Sequence, residues 1–174
     1  RRQRQMCIRD RDKRRIRRGI AVRFGMGAAP DSWDALLTAM THKGYTKQEL
    51  ISAGLAVNGK NGRLYDKFRN RLMLPVIDVR GDVVGFGSRV LDKSEPKYMN
   101  TPETLTYSKR RILYGMNLAK KSKRSNIILC EGNLDVVTLH QAGFDNAVAS
   151  MGTALTQEQL SLIHISEPTR RVVI

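Results

Sequence analysis

The stretch from 126 to 150 constrains the fold of this chain more than any other. It opens with a short apolar run at 126–130, which is too short for a buried helix and rich in β-branched residues. Apolar residues then recur at helical spacing up to Ala142, and Gly143 is placed to end that helix in the left-handed conformation. A second apolar run at 147–149 predicts another strand. The stretch therefore predicts a compact βαβ unit with parallel strands.

Two carboxylates fall at one edge of this predicted unit. Glu131 directly follows the first strand, and open α/β sheets bind their ligands at the carboxyl ends of their strands. Asp135 lies in the first turn of the helix, where the helix dipole favours negative charge. The pair could hold a divalent cation, since magnesium prefers a few carboxylates and keeps several waters. Alternatively, Asp135 caps the helix and Glu131 pairs with a Lys or Arg, and spacing alone leaves both interpretations open.

The residues around this pair resemble a known family. The string ILCEGNLDVV at 128–137 is similar to the first signature of the Toprim domain, which primases, topoisomerases and some nucleases share. Its continuation through HQAGF at 140–144 and AVASMGTALT at 147–156 narrows the resemblance to the bacterial DnaG-type replicative primases. Asn133 departs from this pattern, because most of these primases carry an aromatic residue there.

The two ends of the chain resemble translated adapter DNA. Back-translation of MCIRD at 6–10, continued into the next codon, gives a DNA element whose reverse complement encodes LSLIH, the residues at 160–164. One element therefore accounts for both ends on opposite strands, and it resembles the adapter of transposase-made sequencing libraries. The alternative is that two native tails match by chance. We interpret residues 1–11 and 160–174 as adapter-like and exclude them from the prediction of the fold.

The predicted fold class is α/β. Residues 12–124 are interpreted as an α+β N-terminal subdomain of a primase catalytic core, and residues 125–159 as the start of a truncated Toprim domain with its parallel βαβ unit. Before that unit the sequence predicts helices at 31–40, 46–54 and 108–121 and a hairpin of strands at 72–79 and 83–86. Thr46 and Glu49 form a capping box, and Trp33 is predicted to lie in the core rather than to form a ligand platform.

Charge favours an anionic polymer as the partner. The chain has 31 Lys and Arg against 16 Asp and Glu, a net charge of +15. The first eleven residues hold five Arg and one Asp, and the last fifteen hold two Arg and one Glu, so 24 basic and 14 acidic residues remain without the ends. This excess still favours nucleic acid, although solubility alone also explains part of it.

Cysteine use and hydropathy predict a cytoplasmic protein. Between the adapter-like ends Cys130 is the only cysteine, so no disulfide can form there, and no signal peptide is evident. No apolar run approaches the roughly eighteen residues that a membrane span requires, so no membrane partner is expected.

Further strings match motifs of the same family and carry basic residues. They are DKFRNRLMLPV at 66–76, GFGSRVL at 85–91, PKYMNTPET at 96–104 and LYG at 113–115. In the family these segments belong to the RNA polymerase core, and their basic residues line the cleft for template, initiating nucleotide and the RNA–DNA hybrid. The resemblance therefore implies nucleotide or template contacts for Arg69, Arg71, Arg89, Lys97, Asn100 and Lys109.

The resemblance also implies a reaction, the synthesis of short RNA primers from nucleoside triphosphates on single-stranded DNA. This is magnesium-dependent nucleotidyl transfer by a DNA-directed RNA polymerase, with two metal ions at the reacting phosphate. Glu131 would be a magnesium ligand or an acid–base group, and Asp135 would support it directly or through a second residue.

The family's other carboxylates lie in a later Asp-x-Asp motif, which this sequence does not reach. It also holds neither the family's zinc-binding module nor its helicase-binding domain, so zinc and the replicative helicase are expected only for the parent protein. We expect the parent to be a primase and this fragment alone to be catalytically inert.

Two other functions stay open on the sequence alone. One is another Toprim enzyme, a topoisomerase or a nuclease, of which the topoisomerase would need a nucleophilic tyrosine. The other is a non-catalytic fragment that binds nucleic acid through its basic groove. Such a fragment would lose affinity steeply with salt and would not depend on magnesium.

Overall fold

The computed structural model describes residues 16–152, 154–166 and 171–173 of the chain. In chain order the elements of these ranges are α1 (Arg18–Arg23), β1 (Gly27–Ala29), α2 (Ala35–His42), α3 (Lys47–Ser52), β2 (Ala56–Asn58), β3 (Leu64–Asp66), β4 (Arg71–Ile77), β5 (Val83–Val90), β6 (Tyr98–Asn100), a 3₁₀ turn (Lys109–Arg111), β7 (Leu113–Tyr114), α4 (Met116–Ala119), β8 (Asn126–Cys130), α5 (Asn133–Gln141), β9 (Ala147–Ser150), α6 (Gln157–Ser166) and β10 (Arg171–Val173).

The first sheet is antiparallel, with strand order β1-β4-β5-β6. Its centre is the predicted hairpin of β4 and β5, in which Asp78 accepts backbone hydrogen bonds from the turn and Gly81 takes a φ of +106°. Leu74 and Val76 of β4 are buried and belong to the main core. The β2–β3 hairpin forms a separate small sheet.

The second sheet has the order β10-β8-β9-β7 and contains the predicted βαβ unit. Strands β8 and β9 are parallel, with Leu129 opposite Val148, and α5 connects them. Gly143 ends α5 at a φ of +93°, and the Phe144 amide donates back to the Leu139 carbonyl at 2.9 Å. The predicted α/β class and the parallel strand pair are therefore confirmed.

The predicted helix at 108–121 is wrong. The chain instead forms a 3₁₀ turn, then β7, and only a short helix α4. Leu113 and Tyr114 pair antiparallel with β9 and are buried, which satisfies their backbone within a sheet and their side chains within the core. Gly115 then takes a φ of +82°, a left-handed conformation that interrupts any continuous helix.

The predicted start of the first helix and the predicted burial of Trp33 are also wrong. Helix α2 begins at Ala35, and Trp33 lies before it with 60% of its surface exposed. The cap of this helix comes from Asp66, whose carboxylate accepts hydrogen bonds from the amides of Leu36 at 2.7 Å and Leu37 at 2.9 Å. A distant carboxylate therefore sets this helix start, whereas the predicted capping box of Thr46 and Glu49 is confirmed.

The adapter-like ends are covered only in part. Residues 1–11 lie outside the described ranges. Helix α6 begins with a capping box of Thr156 and Gln159, and its Ile163 is buried against the second sheet. Strand β10 pairs in parallel with β8. The interpretation of 160–174 as adapter-derived stays a prediction. Within the described ranges no helix is long and apolar enough to cross a membrane.

Candidate functional site

Glu131 and Asp135 lie on the surface at the carboxyl edge of the second sheet. Strand β8 ends at Cys130, so Glu131 is the first residue beyond it, and Asp135 lies in the first turn of α5. Both residues are exposed. Neither carboxylate has a hydrogen bond or an ion pair with any described residue, although the chain is strongly basic. Two unpaired acids at this edge match the geometry that the sequence predicts.

These acids line a cleft between the two sheets, which we call the carboxylate cleft. Its volume is about 400 Å³. Its walls come from β4, β5 and β6 on one side and from the segments after β8 and β9 on the other; they are Leu74, Ser88, Arg89, Tyr98, Asn100, Glu131, Gly132, Asn133, Leu134, Asp135, Ser150, Met151 and Gly152. Of the predicted contact residues, the structure brings Arg89 and Asn100 together with the two acids.

Arg89 and Lys97 both lie close to the Tyr98 ring at the edge of this cleft. The guanidinium carbon of Arg89 lies 5.0 Å from the Tyr98 ring centre, and Arg89 also donates to the Tyr98 hydroxyl. The Lys97 ammonium lies 5.7 Å from the same ring. Strand β6 pairs with β5 here, with Tyr98 opposite Arg89, and this pairing fixes the cations on a rigid support. The arrangement supplies positive charge opposite the acids.

Glu131 and Asp135 supply only part of the ligand set that one magnesium ion needs. Glu131 and Asp135 offer two carboxylates, and magnesium commonly takes one or two of these with waters and substrate phosphates as its remaining ligands. The described residues contain no group of three or more His, Cys, Asp or Glu side chains that could hold a metal. Burial and the nearby charge of Asp135 raise the pKa of the Cys130 thiol, which disfavours the thiolate form that binds metals.

Arg71 lies beneath the surface, outside the carboxylate cleft. It is 5% exposed, and its guanidinium donates to the Pro96 carbonyl at 2.8 Å, while one of its nitrogens is buried without a partner among the described residues. Burial, together with the neighbouring charge of Arg69, lowers its pKa. In this position Arg71 anchors the loop that carries Lys97.

Arg69 lies on a second surface, formed by aromatic rings. Its guanidinium carbon is 4.0 Å from the Trp33 ring centre and 5.0 Å from that of Tyr65, and the two rings meet edge to face at 5.3 Å. Beside them is a cleft of about 550 Å³ lined by Trp33, Tyr65 and the β2–β3 turn, which contributes Lys60 and Arg63. We use the name aromatic patch for five residues, which are Trp33, Lys60, Arg63, Tyr65 and Arg69.

The aromatic patch is held in place by Asp66. Besides capping α2, Asp66 donates its amide to the Trp33 carbonyl at 2.7 Å, and its own carbonyl accepts from Arg69. Asp66 is buried, so these bonds are shielded from water. The predicted burial of Trp33 is wrong because the distant contact with Asp66, which the sequence does not reveal, holds this segment at the surface.

Lys109 lies in the 3₁₀ turn, and its charge lies close to that of Lys67. Burial and then repulsion by Lys109 lower the pKa of Lys67. The Lys109 amide donates to Glu103 at 2.9 Å, and its carbonyl accepts from Gln159 at 2.8 Å, so both backbone groups of Lys109 are held in place. Two cations held near one another favour an anion between them, although the structure does not bring Lys109 into the carboxylate cleft.

In a comparison with known proteins, each half of the chain matches the model of a protein family. Residues 4–120 match the family model of the DNA primase catalytic core, N-terminal domain, and residues 125–174 match that of the Toprim domain. The DNA primase of Clostridium acetobutylicum is 54% identical over 142 residues, which are 81% of this chain and 24% of that protein. The DNA primase of Escherichia coli K12 is 42% identical over 87% of this chain and 26% of its own length. The chain thus spans about a quarter of these relatives.

Solved structures of primase domains are also similar to this chain. A DnaG primase catalytic domain bound to single-stranded DNA superposes with a TM-score of 0.88 at 38% identity, over 96% of this chain and 54% of that one. The RNA polymerase domain of the Mycobacterium tuberculosis primase DnaG, in complex with a double-stranded DNA that carries a 6-nucleotide overhang, gives 0.85 at 39% identity over 92% and 51%. Both neighbours contain DNA.

Proposed function

The chain belongs to the family of DNA primase catalytic cores, and we propose that it is the part of a primase that binds a nucleotide in the carboxylate cleft and single-stranded template on the aromatic patch. The parent protein would synthesise short RNA primers for DNA replication. The single observation that carries this proposal is the carboxylate cleft itself, in which unpaired Glu131 and Asp135 face Arg89 and Asn100.

The charges in the cleft support a nucleotide as its ligand. A nucleoside triphosphate carries several negative charges, and Arg89 and Lys97 offer cations on the β5–β6 side. Glu131 and Asp135 repel the same phosphates unless a cation lies between them. Glu131 and Asp135 would hold a magnesium ion, whose charge would stabilise the negative charge of the phosphates during nucleotidyl transfer. The acids and the cations of this cleft therefore complement a magnesium nucleotide rather than a bare one.

The aromatic patch supports single-stranded nucleic acid as its ligand. Exposed aromatic faces stack on bases without regard to sequence, and nearby Lys and Arg contact the phosphates. Trp33 and Tyr65 supply the faces, and Lys60, Arg63 and Arg69 supply the cations. Arg69 stacked on Trp33 presents a planar cation that can stack on a base or bind a phosphate.

We propose that this chain binds its ligands without making primers. Transfer with two metal ions needs more carboxylates than Glu131 and Asp135, and the part of the chain that the structure describes offers no larger cluster. The purified chain, given magnesium, nucleoside triphosphates and a single-stranded template, should bind both ligands and synthesise no primer.

A chimera tests the function itself. Residues 24–150 would replace the equivalent segment of an active primase of the family, with the remaining carboxylates supplied by the host. We expect primer synthesis that is lost, by about a hundredfold or more, in the Glu131→Gln chimera, since removal of a metal ligand removes charge stabilisation in the transition state. Asp31→Asn is the matched control, because Asp31 is exposed and distant in sequence from the cleft. A folded chimera that makes no primers, or one that keeps full activity with Glu131→Gln, would contradict the proposal.

A further inference from the structure

We propose that Asn133 contacts the nucleotide in the carboxylate cleft and that Gly87 is the positioning residue that aims its amide. This rests on the proposed function, since it names a contact within the same site. Asn133 is the first residue of α5, between Glu131 and Asp135, and it lines the cleft.

The Asn133 amide is free to bind a ligand. The side chain is half-buried, and it makes no hydrogen bond to any residue that the structure describes. A carboxamide offers two N–H donors and one carbonyl acceptor. A half-buried amide without a partner loses part of its hydration and gains nothing in return, so a ligand that bonds it recovers that free energy. Phosphate oxygens and ribose hydroxyls are the groups of a nucleotide that can do so.

Gly87 determines where this amide lies. Gly87 is buried in β5, and a Cβ atom on it would lie only 2.5 Å from Asn133 Nδ2 and 3.2 Å from Asn100 Oδ1. Carbon and nitrogen atoms do not approach so closely, so any side chain at 87 would push the Asn133 amide away. The Asn133 amide therefore lies against the bare backbone of Gly87, and this contact joins the start of α5 to β5 of the first sheet.

Asn100 fixes the same junction from the other side. It pairs with Gly87 in the β5–β6 ladder, and its Nδ2 donates to the Met151 carbonyl at 3.2 Å, just beyond β9. The two sheets are thus held together next to Gly87 by a bond that does not involve Asn133. A methyl group at 87 should move the flexible amide of Asn133 and leave the sheets in place.

A double-mutant cycle on nucleotide binding tests the inference. Binding of magnesium ATP to the whole chain would be measured by calorimetry for the wild type, Asn133→Ala, Gly87→Ala and the double variant. We expect each single substitution to weaken binding by about three- to tenfold, the worth of one hydrogen bond. The double variant should bind no more weakly than Asn133→Ala, because Gly87 acts through Asn133.

Two controls separate this contact from folding and from the proposed function. Gly27→Ala lies in the same sheet with nothing within 4 Å of the added methyl group, so it should bind as the wild type does. Affinity for single-stranded DNA should be unchanged in all four variants. Deoxy-ATP and tripolyphosphate show which part of the nucleotide is bound: equal losses for all three ligands indicate a phosphate, and a loss confined to ATP indicates the 2′-hydroxyl.

The outcomes are distinguishable. A wild-type chain that shows no magnesium-dependent binding of ATP overturns the proposed function and this contact with it. Wild-type binding that Asn133→Ala leaves unchanged overturns the contact alone. Losses for Gly87→Ala and Asn133→Ala that multiply in the double variant overturn the positioning role of Gly87.

Discussion

The carboxylate cleft and the aromatic patch place opposite demands on their ligands. The cleft combines two unpaired acids with cations across a gap between two sheets, so under the proposed function a polyanion binds there together with a metal ion. The patch combines aromatic faces with cations alone, so a polyanion can bind there directly. The difference predicts that magnesium controls one site and salt controls the other.

The two regions also differ in how the chain builds them. The cleft draws on residues from 74 to 152 and requires both sheets to dock, whereas the patch comes from Trp33 and residues 59–69 around one hairpin. A change that disturbs the second sheet should therefore damage the cleft and spare the patch. The predictions below test this separation.

The largest effect is expected for Gly115→Ala, which should destabilise the second sheet and with it the carboxylate cleft. Gly115 has a φ of +82°, and a Cβ atom there would lie 2.8 Å from Val136 Cγ1 and 3.2 Å from the Ala147 carbonyl. Left-handed strain and overpacking together should lower the free energy of unfolding by about 3 kcal/mol, measured by chemical denaturation. Gly44→Ala, with a φ of +91° and nothing within 4 Å, is the control and should lose only about 1 kcal/mol. Equal losses would show that the contacts of Gly115 are unimportant.

Trp33→Ala should weaken binding of single-stranded DNA by roughly tenfold, because one base–aromatic stack is worth about 1–3 kcal/mol. The loss should be the same with and without magnesium when affinity is measured by fluorescence anisotropy. Leu105→Ala removes an apolar side chain that is more exposed than Trp33 and should leave the affinity unchanged. If Trp33→Ala binds DNA normally, the patch is not a nucleic-acid surface.

Lys60→Ala and Arg63→Ala should each have a smaller effect, which is visible mainly in the salt dependence. Each phosphate contact on a single strand contributes about 0.7 to the slope of log affinity against log salt. Each substitution should therefore reduce that slope by about this amount. Lys123→Ala changes an exposed lysine in the turn before β8 and should leave it unaltered. A slope that falls equally for Lys123→Ala would indicate a diffuse charge effect rather than contacts at the patch.

Mild acid should weaken the second sheet through His140. Burial, with Phe24 packed edge to face on its ring, lowers the pKa of His140, so the ring stays neutral in the folded state while it gains a proton in the unfolded chain near its ordinary value of 6.5. Stability is then complete above that value and falls as the pH drops below it. Denaturation at a series of pH values should show this fall for the wild type and a smaller one for His140→Gln. An identical pH dependence in both proteins would assign the effect to other groups.

The sequence predicted the acids of the cleft because their positions depend on local patterns. An apolar run that ends at Cys130 and a helix that starts within three residues place Glu131 and Asp135 at one sheet edge without further information. The left-handed Gly143 and the capping box of Thr46 and Glu49 are equally local.

Two features of the fold could not be predicted because they depend on distant contacts. Trp33 is exposed because Asp66, more than thirty residues later, caps α2 and fixes the chain before it. Leu113 belongs to a helical pattern of apolar residues, yet Leu113 and Tyr114 form a strand because β9 provides a pairing edge. In both cases the partner lies too far along the chain for periodicity to reveal it.

The most direct test of the account compares binding of ATP and of single-stranded DNA to the wild type and to Glu131→Gln, each with and without magnesium. Glu131 is exposed and has no side-chain partner among the described residues, so its substitution should not affect folding. We predict that magnesium strengthens ATP binding in the wild type, that Glu131→Gln removes this gain, and that DNA binding is the same in all four conditions. A magnesium gain that survives in Glu131→Gln would contradict the account.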